Sequence, residues 1–394
     1  MNFVFVSSGQ YPNGGAATNR HMAYAKGLVE AGHEVTFVLL SKQIFMKYEY
    51  TDEGTKYICS FPENFNCNIS KVKKLFLHIR SLRARNHIIL EINRKRKIDA
   101  IVLLDAFIWV IIPIIRLAKK NGIKIIHERT EYPFIVGGKG LIMRINLKIY
   151  LSLVLKKFNG IFVISQALKN YFNQLLNNEI PIEIINMIVD PARFKVVASD
   201  RIHKYKYIAY CGSMDNNKDG VDILIKAFGD ALITRKINID IKLMLIGDIK
   251  NESFQKKLDN ILEEKNCLNN IIFTGKVERF KVPDLLNGAA ALALARPNSK
   301  QAEGGFPTKL GEYLATGKPV IITNVGEICH FLKDGYNAFV AKPENVNSFS
   351  EKINEVFSDY PKALKIGKRG EMLVYNEFNY FKQAVKLARF IEST

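Results

Sequence analysis

What most limits this chain is a rhythm: short runs of β-branched and aliphatic residues, each followed by a stretch patterned for an amphipathic helix, repeated through both halves. In the first half the runs are NFVFVSS, HEVTFVLL, DAIVLL, IKIIHE, GIFVIS and EIINMIV. In the second they are KYIAYCGS, IKLMLIGD, IIFTG, ALALAR, PVIIT and AFVA. Strands separated by helical crossovers pair in parallel, and a parallel sheet must be covered on both faces. The spacing predicts two tandem doubly wound, Rossmann-like α/β domains. The length of 394 residues agrees, because a single core stops growing well short of it. The first domain is expected over residues 1–195 and the second over 196–377, joined within 191–205, where the sequence is polar and unpatterned. The last helix-like stretch, 378–394, suits either domain and is placed with the first.

Composition narrows the class. Five cysteines, Cys59, Cys67, Cys211, Cys267 and Cys329, form no C-x-x-C pair and have no histidine at metal spacing, so they read as reduced thiols. The amino terminus enters a strand within a few residues, unlike a signal peptide, and the longest apolar run, IVLLDAFIWVIIPII, is broken by Asp105 and Pro113. A cytoplasmic protein with a strand and buried helix at that run is expected. The net charge of +19 is concentrated in the first half, with 28 Lys+Arg against 14 Asp+Glu in residues 1–195. Residues 71–97 hold ten Lys or Arg and one acid, Glu91, and LIMRINLKIYLSLVLKK from Leu141 mixes cations with aliphatics. Such helices fit an anionic membrane surface, and they equally fit ordinary amphipathic helices with solvated cations. Nucleic acid is not expected, since no helix-turn-helix, zinc-finger or RNP-like motif accompanies the charge.

In open parallel sheets ligands bind beyond the carboxyl ends of the strands, so the loops there hold the candidates. After the first strand, Gly14 and Gly15 precede a helix whose free amides suit an anion. HERTEYPF crowds His127, Glu128, Arg129 and Glu131 at a strand end, where they pair together or face a cleft. In CGSMDNNKDGVDILIKAF, Gly212 permits close backbone approach, Lys218 reaches back over the loop, and Asp219 or Asp222 caps the next helix. In GGFPTKLGEYLATGKPVI, Pro307 suits the first helical position, so residues 305–309 read as an amide nest for a diphosphate, with Lys309 adding a cation. Glu312, about a turn on, suits the vicinal hydroxyls of a ribose.

Taken in order, these stretches resemble family 4 glycosyltransferases of the GT-B fold, particularly bacterial enzymes that extend capsule, O-antigen or exopolysaccharide. The resemblance covers nearly the whole chain, through GG at 14–15, HE at 127–128, VIS at 163–165, INMIVDPARF, LIGD, FTG and, most specifically, GGFPTKLGEYLATGKPVI. It implies two Rossmann-like domains facing across a cleft, and metal-independent, retaining transfer from a UDP- or GDP-sugar to a lipid-linked glycan at the inner face of the membrane. No cofactor is implied, because the nucleotide sugar is a co-substrate. Glu312 would hold the ribose, and Gly305, Phe306, Pro307 and Thr308 with Lys218 and Lys309 the diphosphate. Gly212, Ser213, Val277 and Glu131 would line the donor site, with the Gly14–Gly15 loop approaching donor phosphate and acceptor. His127 and Glu128 would lie near the transferred sugar, and with Lys218 and Glu312 are the catalytic candidates.

Two positions depart from the family pattern. Gly304 stands where an E-x7-E motif has its first carboxylate, with Glu303 displaced by one. Ser213 stands where an arginine is common, so Lys309 or Arg296 would supply that charge. These departures keep open a non-catalytic sugar-nucleotide binder or scaffold, and a nucleotide-sugar epimerase shares the fold.

Overall fold

The computed structural model describes all residues except 13, 42–48, 62–70, 106, 137–139, 196–204, 215–217, 235–236 and 238–239. The chain divides into two compact units, residues 1–188 with 380–394, and residues 189–379. The change of unit therefore precedes the expected join, of which 196–204 lies outside the described residues. The short 3-10 turn Pro191–Phe194 belongs to the second unit because it packs on two of that unit's helices.

The first unit contains β1 (Asn2–Ser7), β2 (Glu34–Leu39), β3 (Glu49–Asp52), β4 (Thr55–Cys59), β5 (Ala100–Leu103), β6 (Lys124–Arg129), β7 (Gly160–Val163) and β8 (Ile182–Ile184). Its helices are α1 (Ala16–Glu30), α2 (Lys71–Lys95), α3 (Ile108–Lys120), α4 (Pro133–Val136), α5 (Leu141–Ile149) and α6 (Gln166–Leu175), with α15 (Tyr380–Ser393) returning from the far end of the chain. The sheet order is β3-β4-β2-β1-β5-β6-β7-β8, parallel except for the β3–β4 hairpin. Phe3, Val4, Phe5 and Val6 of β1 are fully buried, as a central strand covered on both faces requires. α15 is held by α1: a Cβ on Gly27 would collide with Ala384 and the Tyr380 carbonyl.

The second unit contains β9 (Tyr207–Cys211), β10 (Lys242–Ile246), β11 (Ile271–Gly275), β12 (Ala291–Leu294), β13 (Val320–Thr323) and β14 (Phe339–Ala341), all parallel in the order β11-β10-β9-β12-β13-β14. Its helices are α7 (Val221–Ile233), α8 (Glu252–Glu264), α9 (Val282–Gly288), α10 (Lys300–Gly304), α11 (Thr308–Ala315), α12 (Ile328–Phe331), α13 (Val346–Ser358) and α14 (Tyr360–Asn376). Each sheet runs outward in both directions from its first strand, which puts a topological switch point between β1 and β5 and another between β9 and β12. The twelve runs read from the sequence all contain strands; the β3–β4 hairpin was not foreseen. β3 is polar and largely exposed, so it carries no hydrophobic period. EIINMIV shortens to β8 at its amino end. The run from Ile101 resolves into β5 and α3, with Pro113 inside the helix. Among the described residues no helix is long and apolar enough to cross a membrane.

Candidate functional site

In the second unit the predicted residues gather at the carboxyl ends of β9 and β12, around the head of α11. α11 is tied to β9 by Tyr313, whose hydroxyl accepts the Cys211 amide at 2.7 Å. Pro307 is the N-cap of α11, one place earlier than expected, and Thr308 is its first residue. The Gly305 amide is spent closing α10 on Gln301 O (3.0 Å), and the Phe306 ring packs against Phe331 and Phe378 in the core. The expected nest thus contracts to the main-chain amides of Phe306, Thr308 and Lys309, which have no partner among the described residues. Free amides and the helix dipole at such a head favour an anion.

Lys309 reaches from α11 across Gly212, where a Cβ would collide with its Cε and Nζ. Its ammonium pairs with Asp219 Oδ2 and lies 5.3 Å from the centre of the Tyr210 ring. Asp219 also accepts the Tyr210 hydroxyl (2.9 Å), so it is a buried anchor rather than the helix cap expected; Gly220 occupies the cap, and Asp222 pairs with Lys257. Burial raises the Asp219 carboxyl, but Lys309 and then Arg296 outweigh it and hold the group below its ordinary value. Ser213 is exposed and brings no charge, while the Lys309 ammonium lies over Gly212 beside it. Arg296 is buried at the end of β12 and donates to Gln301 O at 3.4 Å. Lys218 is half-buried at the end of the same loop, and Val277 is half-buried after β11.

Glu312 accepts Arg193 Nη1 at 3.0 Å, with both side chains about four-fifths buried. The sequence reading missed Arg193. It lies in a 3-10 turn without periodicity, and only the contact between that turn and α11 brings it to Glu312. Cys211 lies among these groups: burial first, then Glu312, push its thiol up to about 12 against the pull of Lys309 and Arg193. Glu303 is turned outward onto Lys300, while Gly304 is buried.

In the first unit the side chains of HERTE point in different directions. His127 is fully buried, its ring stacked on Phe158 at 4.5 Å. Nδ1 must donate to the Leu103 carbonyl (3.0 Å), which leaves Nε2 to accept the Tyr150 hydroxyl (2.8 Å). Burial, reinforced by Arg129, lowers its pKa to about 3, so it is neutral. Glu128 faces the other side of the sheet and binds Arg20 (3.0 Å) and His21 (2.8 Å) from α1. His21 in turn meets the Tyr11 hydroxyl at 2.6 Å. Burial opposes ionisation of Glu128, yet Arg20 and His21 hold it well below the carboxylate range. Both residues face the interior with their polar atoms engaged: Arg20 and His21 of α1 cover Glu128 on one face of β6, and Tyr150 and Phe158 cover His127 on the other. Glu131 is half-buried beyond the strand. Gly15 is the N-cap of α1, and Gly14 packs where a Cβ would collide with Gln10 O and Thr18.

Two segments distant in sequence meet around α3. Arg85 of α2 donates to Val110 O (3.0 Å), and Ile108 N donates to Asn146 of α5 (2.9 Å). Leu75, Phe76 and Ile79 of α2, Trp109 of α3, and Leu141, Ile142 and Ile145 of α5 are exposed, Leu141 and Ile142 by more than 70%. Arg85, by contrast, is wholly buried.

Comparison with known proteins bears on both units. Residues 193–372 match the family described as Glycosyl transferases group 1. Two uncharacterized glycosyltransferases of Methanocaldococcus jannaschii are similar to the chain. One is 27% identical over 254 residues, 64% of each chain; the other is 23% identical over 247 residues, 61% of this chain and 60% of that one. The matched stretch therefore spans less than two thirds of either relative. Sucrose-phosphate synthase from Thermosynechococcus elongatus superposes with a TM-score of 0.75 at 15% identity, over 100% of this chain and 98% of that one. HepE of Anabaena, solved with UDP and glucose, gives 0.73 at 15% identity over 100% of both. Both units thus have the Rossmann-like α/β architecture of GT-B glycosyltransferase structures, and residues 193–372, with Lys309, Asp219 and Glu312 among them, are similar to the group 1 glycosyl transferases.

Proposed function

We propose that the chain transfers a sugar from a UDP- or GDP-linked donor to a growing lipid-linked glycan, with retention of configuration and without a metal ion, in bacterial surface polysaccharide assembly. The observation that carries this reading is the head of α11, where free amides, an anchored lysine and an anchored carboxylate meet within the residues that match the family. Cleaving an anomeric bond to a nucleoside diphosphate leaves charge on the phosphates, and preorganised amides and a cation stabilise that charge as it develops. Lys309 and the amides of Thr308 and Lys309 supply this, with Lys218 at the loop. Glu312, oriented by Arg193, accepts the ribose hydroxyls. His127 and Glu128 take no direct part and fix the strand behind the acceptor side of the first unit.

The related structures support the chemical class. HepE was solved with UDP-glucose, WaaB is a lipopolysaccharide outer core galactosyltransferase, and WaaG is involved in lipopolysaccharide biosynthesis. Peripheral attachment to an anionic membrane is supported by the exposed apolar side chains of α2, α3 and α5 beside cations such as Arg80, Arg144 and Lys148.

Thermal unfolding with UDP, GDP, ADP and CMP tests the reading, alongside Glu312→Ala. A ligand at a hundred times its dissociation constant adds about 2.7 kcal/mol, a visible shift in Tm. One nucleotide should raise Tm in the wild type and fail to do so in the variant, and turnover of the matching nucleotide sugar should survive a chelator. No response to any nucleotide would move the chain to a non-catalytic role, and conversion of the sugar nucleotide without an acceptor would make it an epimerase.

A further inference from the structure

Arg129 ends β6 in the first unit and is only 5% exposed. The side chain before it, Glu128, points through the opposite face of the sheet, as alternation along a strand requires, and is consumed by Arg20 and His21. On its own face it forms no ion pair among the described residues. His127 is uncharged, and the Tyr150 ring centre lies 5.6 Å from the guanidinium. Glu131 offers only its main-chain carbonyl, 3.4 Å from Nη2. Nε is buried without a hydrogen-bond partner, and among the described residues no carboxylate lies within 4.0 Å.

Of the five N–H donors of the guanidinium, one is used among the described residues, and Nε is buried without a partner. A buried guanidinium with no carboxylate partner is unfavourable, and an anion reaching it would complete its hydrogen bonding. The planar fork matches phosphate in particular. Its place is the carboxyl end of a parallel strand, where open sheets bind ligands.

The surroundings are apolar. Tyr132 stacks on Phe134 at 5.1 Å, and Phe134 is half exposed. Tyr150 continues α5, whose Leu141, Ile142 and Ile145 face outward. A phosphate on Arg129 would thus lie next to surface suited to a hydrocarbon chain.

We propose that Arg129 binds the phosphate that joins an acceptor glycan to its lipid. This rests on the transferase reading above and gives its acceptor a point of attachment in the first unit.

The test uses the full chain as wild type, Arg129→Gln and Arg129→Lys, with the donor site saturated by whichever nucleoside diphosphate raises Tm. Calorimetry then measures binding of farnesyl diphosphate and inorganic pyrophosphate. Farnesyl diphosphate should bind the wild type, lose at least about tenfold in affinity in Arg129→Gln and recover in part in Arg129→Lys, the scale of one charge-assisted contact. Pyrophosphate should depend on Arg129 in the same way but bind more weakly. Without ligand, Arg129→Gln should unfold at an equal or higher temperature, because it removes an uncompensated charge; a merely structural arginine would lower Tm in both variants, and that result would overturn the proposal. Undiminished binding in Arg129→Gln would also overturn it. So would equal competition by phosphatidylglycerol vesicles, which would make the site a headgroup site. If the nucleotide binds and farnesyl diphosphate does not, this inference falls and the transferase reading stands; if neither binds, both fall.

Discussion

Lowering the pH from 7 to 5 should cost the first unit about 2 kcal/mol through His127 alone. In the folded unit burial holds this imidazole at a pKa of about 3, against an ordinary value of 6.5. Between those values the unfolded chain binds a proton that the folded one refuses. The contribution is therefore complete above pH 6.5 and is lost as the pH falls toward 3, where the whole difference amounts to about 5 kcal/mol. For a unit of this size, 2 kcal/mol corresponds to roughly 4–8 °C in Tm. His21 is also depressed by burial and titrates in the same direction, so the measurement is a difference: Tm of wild type and His127→Gln at pH 7 and pH 5. Glutamine can still donate to the Leu103 carbonyl and accept from Tyr150, but it cannot take up the proton. The drop between the two pH values should be several degrees smaller in the variant. Equal drops would mean that His127 titrates normally and faces water, which would return it to the donor side of the chemistry.

Gly212→Ala drives a methyl into Lys309 Cε and Nζ and the Tyr210 hydroxyl, so it should dislodge Lys309 from Asp219 and weaken nucleoside diphosphate binding about tenfold while sparing the bare nucleoside, as equilibrium titration would show. Arg193→Ala should reduce nucleoside and nucleoside diphosphate affinity alike, because it frees Glu312 at the ribose; a loss confined to the diphosphate would place Arg193 on the phosphates instead. Gly14→Ala should destabilise the first unit by about 1–3 kcal/mol in denaturant unfolding, because the methyl is driven into a main-chain carbonyl. Leu141→Ser with Ile142→Ser should reduce flotation with anionic vesicles and leave Tm unchanged, as these side chains are exposed; flotation equal to wild type would remove α5 from the membrane face.

The strands were legible because a parallel strand covered on both faces must be apolar throughout, and the crossovers must carry a helical period. That Lys309 and Glu312 lie at the head of α11, with Gly212 at the end of β9, was legible because their spacing follows a loop and the helix it opens. The same reading failed at β3 and β4, a short edge hairpin whose polar residues share no period. It did not reveal that Glu128 is bound by Arg20 and His21, since four charged or polar residues at a strand end look alike whether they face a ligand or are paired by a helix more than a hundred positions earlier in the chain.

The sequence by itself determined the two parallel sheets, their order along the chain and the loop from which α11 starts, all of which depend on local period and turn chemistry. Only the tertiary structure decided which charges are used up. Glu128 finds Arg20, Lys309 finds Asp219, Glu312 finds Arg193 and Arg129 finds no carboxylate among the described residues. A charge's role depends on the partner within about 4 Å, and in a doubly wound fold that partner comes from elements far apart in the chain.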